Sequence, residues 1–203
     1  MTDSFFQNKQ WFFDRWAPFY DFLLTTVFYQ AVHKRLLEFA EFPNSANILD
    51  IGCGTGRLLQ RLAKQFPDLE GTGFDLSPQM IKEAKNKNIY GDRLQFLQGN
   101  VEALPFPESS FDAVFCTISF LHYPHPELVL AEIKRVLRPG GVFYLADYTV
   151  NDWTEYREVA VSPGKLRWYS RKKREQLANT AGLSCLSHHY LIGPVLLTKF
   201  VNY

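Results

Sequence analysis

The chain has 203 residues, 46% of them apolar and 21% charged, and a formal net charge of +1. That length can bury the core of a single domain, and the balanced charge offers no global field for nucleic acid or a membrane, so any such contact needs a local patch. Cys53, Cys116 and Cys185 lie far apart without a CxxC pair, which argues against a disulfide framework or a zinc site and suits a reducing cytoplasm.

From Phe5 to Phe42, apolar and aromatic residues recur at helical spacing, interrupted at Pro18; this predicts two helical pieces joined there. No basic region followed by an apolar core opens the sequence, so no secretory signal is expected, and no stretch reaches the roughly 18 apolar residues of a membrane helix. Pro43-Asn44-Ser45 reads as a loop, Ala46 to Ile51 as a strand and Gly56 to Gln65 as a helix. A second strand ends across Gly71 to Leu76. Ser77-Pro78 then opens a helix, with Ser77 as its cap and Pro78 at the first position, where a missing N–H costs nothing.

Leu94 to Gln98 and Phe111 to Ile118 read as the third and fourth strands, followed by a helix from Pro126 to Leu137. Arg138-Pro139-Gly140-Gly141 predicts a turn, and Val142 to Tyr148 a fifth strand. A helix from Arg171 to Ala181 stops at Gly182, and Ser184 to Leu191 and Val195 to Val201 close the chain as strands. Strands alternating with helices imply a mainly parallel sheet covered on both faces, with ligands at the carboxyl ends of its strands.

Asp50, Gly52, Gly54 and Gly56 fall where the first strand meets its helix. Glycine lets a ligand approach the backbone, and the helix start offers free N–H groups. No GxxxxGK[ST] string occurs, which excludes a P-loop. The dinucleotide pattern GxGxxG needs its third glycine where Arg57 stands; here the spacing is GxGxG. Asp75 ends the second strand, where a carboxylate can accept both ribose hydroxyls. These features point to an adenosine-containing ligand without a pyrophosphate.

In these residues the chain resembles the class I S-adenosylmethionine-dependent methyltransferases. LDIGCGTG resembles the first motif of that family, and GFDLS carries the ribose acid Asp75 with Leu76 beside the adenine. QGNVEALPF, FDAVFCTISFLHY and RVLRPGGVFYLAD resemble the later motifs in order. The resemblance implies a three-layer, Rossmann-like α/β fold with a seven-stranded, mostly parallel sheet whose last strand is antiparallel. It implies S-adenosyl-L-methionine as cofactor and S-adenosyl-L-homocysteine as product. Asp50, Gly52, Cys53, Gly54, Gly56, Asp75, Leu76, Asn100, Val101 and Thr117 are its expected cofactor-binding residues. Asn100 stands where the family often has Asp; its amide carbonyl can still accept from the adenine amino group.

FDRWAPFYDFLL, Phe13 to Leu24, resembles the entry helix of quinone-biosynthesis C-methyltransferases and implies a lid over residues 1–43, with residues 44–203 forming the core of the same domain. Tyr20 would then approach the methionine portion. His122, just after the fourth strand, is the candidate general base, with a hydrogen-bonded structural histidine as the competing reading; Tyr20, Tyr123 and Asp147 are the weaker catalytic candidates. No NPPY-like string follows that strand, which counts against DNA, and no set of carboxylates suggests a metal. The expected function is methyl transfer to a small apolar or aromatic acceptor, and the alternatives are a methyltransferase acting on RNA or protein and a non-catalytic module that binds the cofactor. Lys165 to Arg174, KLRWYSRKKR, is the one segment that can attract RNA or a lipid headgroup, and a solvated helix face is its simpler reading.

Overall fold

A computed structural model describes residues 7, 10–11, 23–159 and 165–203. Pro18, Tyr20 and most of Phe13 to Leu24, with the predicted junction of two helices, lie outside the described residues. The elements run α1 (Leu23–Leu37), β1 (Asn47–Ile51), α2 (Arg57–Gln65), β2 (Glu70–Asp75), α3 (Pro78–Lys87) and β3 (Leu94–Gln98). They continue with β4 (Phe111–Thr117), α4 (Pro126–Val136), β5 (Leu137–Tyr148), β6 (Tyr156–Val159), β7 (Leu166–Tyr169), α5 (Arg171–Thr180), β8 (Ser184–Ile192) and β9 (Val195–Val201).

Seven strands form one sheet in the order β3-β2-β1-β4-β5-β9-β8. The first five are mutually parallel, and β9 runs antiparallel to both β5 and β8. Side chains alternate across this sheet because the strand period is two. Ile48, Ala113, Phe115 and Tyr144 therefore enter one core with α1, α2 and α3, whereas Leu49, Val114, Phe143 and Phe200 enter the other with α4 and α5. Burial on both faces explains why β1 and β4 read as nearly continuous apolar runs.

Local chemistry sets several boundaries. The Ser77 hydroxyl accepts from the Met80 amide at 3.1 Å, capping α3 as its sequence predicts. The predicted turn at Arg138-Pro139-Gly140-Gly141 lies inside a longer β5. Pairing with β4 slips between Leu137 and Val142, and Asn202 holds the excursion by accepting from Gly140 N at 2.6 Å and donating Nδ2–H to Leu137 O at 2.8 Å.

The antiparallel hairpin β6–β7 is absent from the sequence reading. It takes Leu166–Tyr169 out of the basic run and packs it on the short 3-10 turn Phe120–His122 that follows β4. Helix α1 rests against α2 and β8. Among the described residues, no helix is long and apolar enough to cross a membrane.

Candidate active site

The site begins where β1 stops. Gly52 N and Cys53 N both donate to Phe74 O, at 2.8 and 3.2 Å, which pins the loop to the end of β2. Gly52 has φ +66°, and a β-carbon there would sit 1.9 Å from Ser119 Oγ and 2.9 Å from the Tyr123 hydroxyl. Only glycine meets both the backbone and the space requirement. A β-carbon on Gly54 would meet nothing within 4 Å, so this part of the loop faces open space. Gly56 starts α2 without a side-chain cap, leaving N–H groups of the first turn for a ligand.

Asp75 is fixed by the same loop. One carboxylate oxygen accepts from Gly54 N at 2.8 Å, the other from Ser77 N at 3.0 Å. Each oxygen has a second lone pair, so a rigid carboxylate still has capacity for hydroxyl donors. Gly99 N donates to Asp75 O at 2.9 Å, which brings the Asn100 turn beside it. Asn100 Oδ1 accepts from Glu102 N at 3.0 Å, as a turn residue does, and keeps one acceptor position. Val101 is buried in the core, and Leu76 O accepts from Gln98 Nε2 at 3.2 Å.

A cleft beside the loop is lined by Asp50, Gly52, Cys53, Gly54 and Thr117, all expected there, and also by Thr55, Arg57, Leu58, Tyr29 and His33. Asp50 is 2% exposed; burial, and then the nearby Asp75, push its carboxyl well above the usual carboxylate range. A cationic ligand would oppose this shift, because an opposite charge nearby favours the carboxylate. Thr117 Oγ1 is buried and has no hydrogen-bond partner among the described residues.

His33, which the sequence reading passed over, is 6% exposed. Arg61 Nη1 lies 2.8 Å from its Nδ1, and a guanidinium only donates, so Nδ1 accepts and the ring proton sits on Nε2. Burial, then Arg61, then Arg57 hold His33 down to about 3. The i,i+4 spacing of Tyr29 and His33 on α1 was the available signal.

The described base candidates separate. The Tyr123 hydroxyl lies 2.8 Å from Ser119 Oγ, and burial followed by Cys116 pushes it well above 10, so it stays a phenol. Asp147 Oδ2 accepts from Leu121 N at 2.9 Å and Oδ1 from Tyr148 N at 2.7 Å, so it orients the turn carrying His122. His122, partly buried, ends that turn on the carboxyl side of the sheet. Tyr20 lies outside the described residues.

A family model described as a methyltransferase domain matches residues 49–145, the span from β1 into β5 that holds these motifs. The chain belongs to the class I S-adenosylmethionine-dependent methyltransferases. Fatty-acid O-methyltransferase of Mycolicibacterium smegmatis is 37% identical over 130 residues, covering 62% of this chain and 45% of that protein. Demethylmenaquinone methyltransferase of Thermus thermophilus is 34% identical over 140 residues, covering 67% and 64%. A methyltransferase solved in complex with the Haloferax volcanii Trm112 methyltransferase activator superposes with TM-score 0.80 at 25% identity, covering 94% of this chain and 97% of that one. The chain spans between 28% and 64% of the length of the first curated relatives it matches.

The residues fit the cofactor of this methyltransferase family. Asp75 suits the ribose, the open face at Gly54 admits a ligand against the backbone, and Asp50 with the unpartnered Thr117 hydroxyl suits a charged amino-acid end.

Proposed function

We propose that the chain is an enzyme that transfers a methyl group from S-adenosylmethionine to a small, flat, apolar or aromatic acceptor carrying a polar oxygen. The carrying observation is Trp168. Its Nε1–H is buried without a hydrogen-bond partner among the described residues, on a hairpin packed against the turn of His122. Its ring stacks on Tyr148 at 5.1 Å, and Tyr148 stacks on Phe28 of α1 at 6.2 Å. An aromatic wall with one unsatisfied donor suits a flat ligand that offers an acceptor, because an unpaired buried N–H costs about 1–3 kcal/mol. Relatives named for fatty acids and demethylmenaquinone support an apolar acceptor that carries oxygen, the second also a flat one.

S-adenosylmethionine, when bound, supplies an electrophilic methyl group on a sulfonium. The glycine loop and Asp75 position the nucleoside end, and Asp50 compensates cationic charge in the cleft. The aromatic wall holds the acceptor face and excludes water, so much of the rate comes from placement. His122 takes the proton that an acceptor hydroxyl or carbon must release, and Asp147 holds the turn from which it acts.

The test is transfer of a labelled methyl group into a small-molecule extract, with mass spectrometry of the labelled product. A flat apolar product is expected. With it as substrate, Trp168→Phe should lower kcat/KM by roughly tenfold, the loss of one hydrogen bond of about 1.4 kcal/mol, and leave cofactor affinity unchanged. Label in RNA or protein alone would replace this reading.

The Haloferax likeness favours a second reading, in which an activator protein must be bound before turnover. A chain that binds the cofactor but transfers no label until a partner is added would support it.

A further inference from the structure

Three donor groups of different chemistry converge away from the cofactor cleft, on the outer edge of the sheet. Cys185 Sγ lies 3.4 Å from His188 Nε2, which lies 2.7 Å from Glu175 Oε1. All three ligand atoms fall within 4.8 Å of one another. Residues three apart on a regular strand point to opposite faces. Between Cys185 and Ser187 the pairing of β8 with β9 shifts register, and that bulge turns Cys185 and His188 to the same side. Glu175 reaches them from α5, which packs on β8.

We propose that Cys185, His188 and Glu175 form a zinc site that clamps α5 to β8. Four-coordinate zinc with sulfur, imidazole and carboxylate ligands needs neighbouring donor atoms about 3.3–3.6 Å apart. The sulfur–nitrogen pair already has that separation. Oxygen must withdraw by about half an ångström, which the 39%-exposed Glu175 side chain is free to do. His188 Nδ1 lies 3.0 Å from the fully buried Thr198 hydroxyl. A ring donating there presents its Nε2 lone pair to the other two donors, the outer hydrogen bond that metal-binding histidines use. Binding exchanges the Cys185 S–H bond for an S–Zn bond and releases the proton to solvent. A water completes the fourth position.

The soft sulfur donor favours zinc over magnesium or calcium, which take oxygen ligands. The absence of CxxC spacing does not count against this site, because two of its ligands are not cysteine and one lies on another element. The proposal is independent of the methyl acceptor and of turnover.

The test uses the full chain, stripped with a chelator and dialysed against zinc chloride, and then in parallel against cobalt(II). One retained equivalent of zinc is expected, with a dissociation constant of micromolar order or tighter. Cobalt should give a thiolate charge-transfer band and the visible bands of a four-coordinate ion. Cys185→Ser should remove the charge-transfer band, and the surface change Glu175→Gln should weaken zinc at least tenfold. His125→Ala should change nothing. Zinc should raise the melting temperature of the wild type but not of Cys185→Ser. Less than a tenth of an equivalent of zinc, or a cobalt spectrum indifferent to both substitutions, would leave His188 and Glu175 as an ordinary hydrogen-bonded pair.

Discussion

His33 must stay neutral to keep its place, and this sets the sign of its contribution. Its folded value of about 3 lies below the ordinary 6.5 because burial and two guanidiniums oppose the cation. Protons therefore favour the unfolded chain: the stability from this group is complete above pH 6.5 and is lost as the pH falls from 6.5 towards 3. At pH 5 the loss is roughly 2 kcal/mol, about 1.36 kcal/mol for each of 1.5 pH units. His33→Gln keeps an acceptor for Arg61 and does not titrate. Urea midpoints at pH 7 and pH 5 should lie closer together in the variant, and an identical gap would show that folding does not lower the proton affinity of His33. Asp75→Ala acts on the cofactor instead. Loss of a charged acceptor should weaken S-adenosylhomocysteine binding about tenfold or more by calorimetry, and unchanged affinity would remove Asp75 from the ribose role. The glycine loop and Asp75 were legible because their signals are local, a strand stopping at glycines and an acid ending the next strand. His33 was not, because its role needs α1 folded over the cleft.

At the scale of elements, Arg174 shows how a surface reading fails. In sequence it belongs to a basic run; in the fold it is 2% exposed. Its guanidinium donates to Leu196 O at 2.9 Å, to Asp147 O at 2.9 Å and to Tyr148 O at 2.7 Å, joining α5 to β5 and β9. Burial lowers it to about 10, so it stays charged at neutral pH, and it is also the counter-charge that restrains Asp147, which burial raises to about 6. Arg174→Met should cost on the order of 3–5 kcal/mol, because it strands buried carbonyls and leaves the Asp147 carboxyl without its cation. Denaturant titration at pH 7 measures this, and a cost below about 1 kcal/mol would show that the strands hold without it. The hairpin β6–β7 was missed for a related reason. Tyr156–Val159 is largely exposed and lacks the alternation that marks a half-buried strand, so only its pairing with β7 defines it.

Over the whole molecule, three of the six cations of Lys165 to Arg174 each face an acid of their own, which weakens the field of the segment at short range. Lys165 pairs with Glu158 at 2.5 Å, Arg171 with Asp152 at 2.5 Å and Lys173 with Glu155 at 3.5 Å, while Arg174 is buried. The pairs also offset the repulsion between basic residues and the positive end of α5. Exposed pairs contribute only about 0–1 kcal/mol each, so their main consequence is a reduced local positive charge rather than stability. With a formal charge of +1 over the chain, the molecule as a whole offers little long-range attraction for a polyanion. Methyl transfer to a small acceptor should therefore change less than about threefold in kcat/KM between roughly 50 and 200 mM salt, whereas an acceptor held by six or more phosphates would lose on the order of a thousandfold in affinity. The comparison needs only the labelled-methyl assay at the two salt concentrations. A steep fall would mean that these ion pairs open to admit a polyanion and that the small-acceptor reading is wrong. A flat profile, with Arg171, Lys172 and Lys173 together changed to alanine and turnover unaltered, would exclude the basic segment from acceptor recognition and leave it a solvated face.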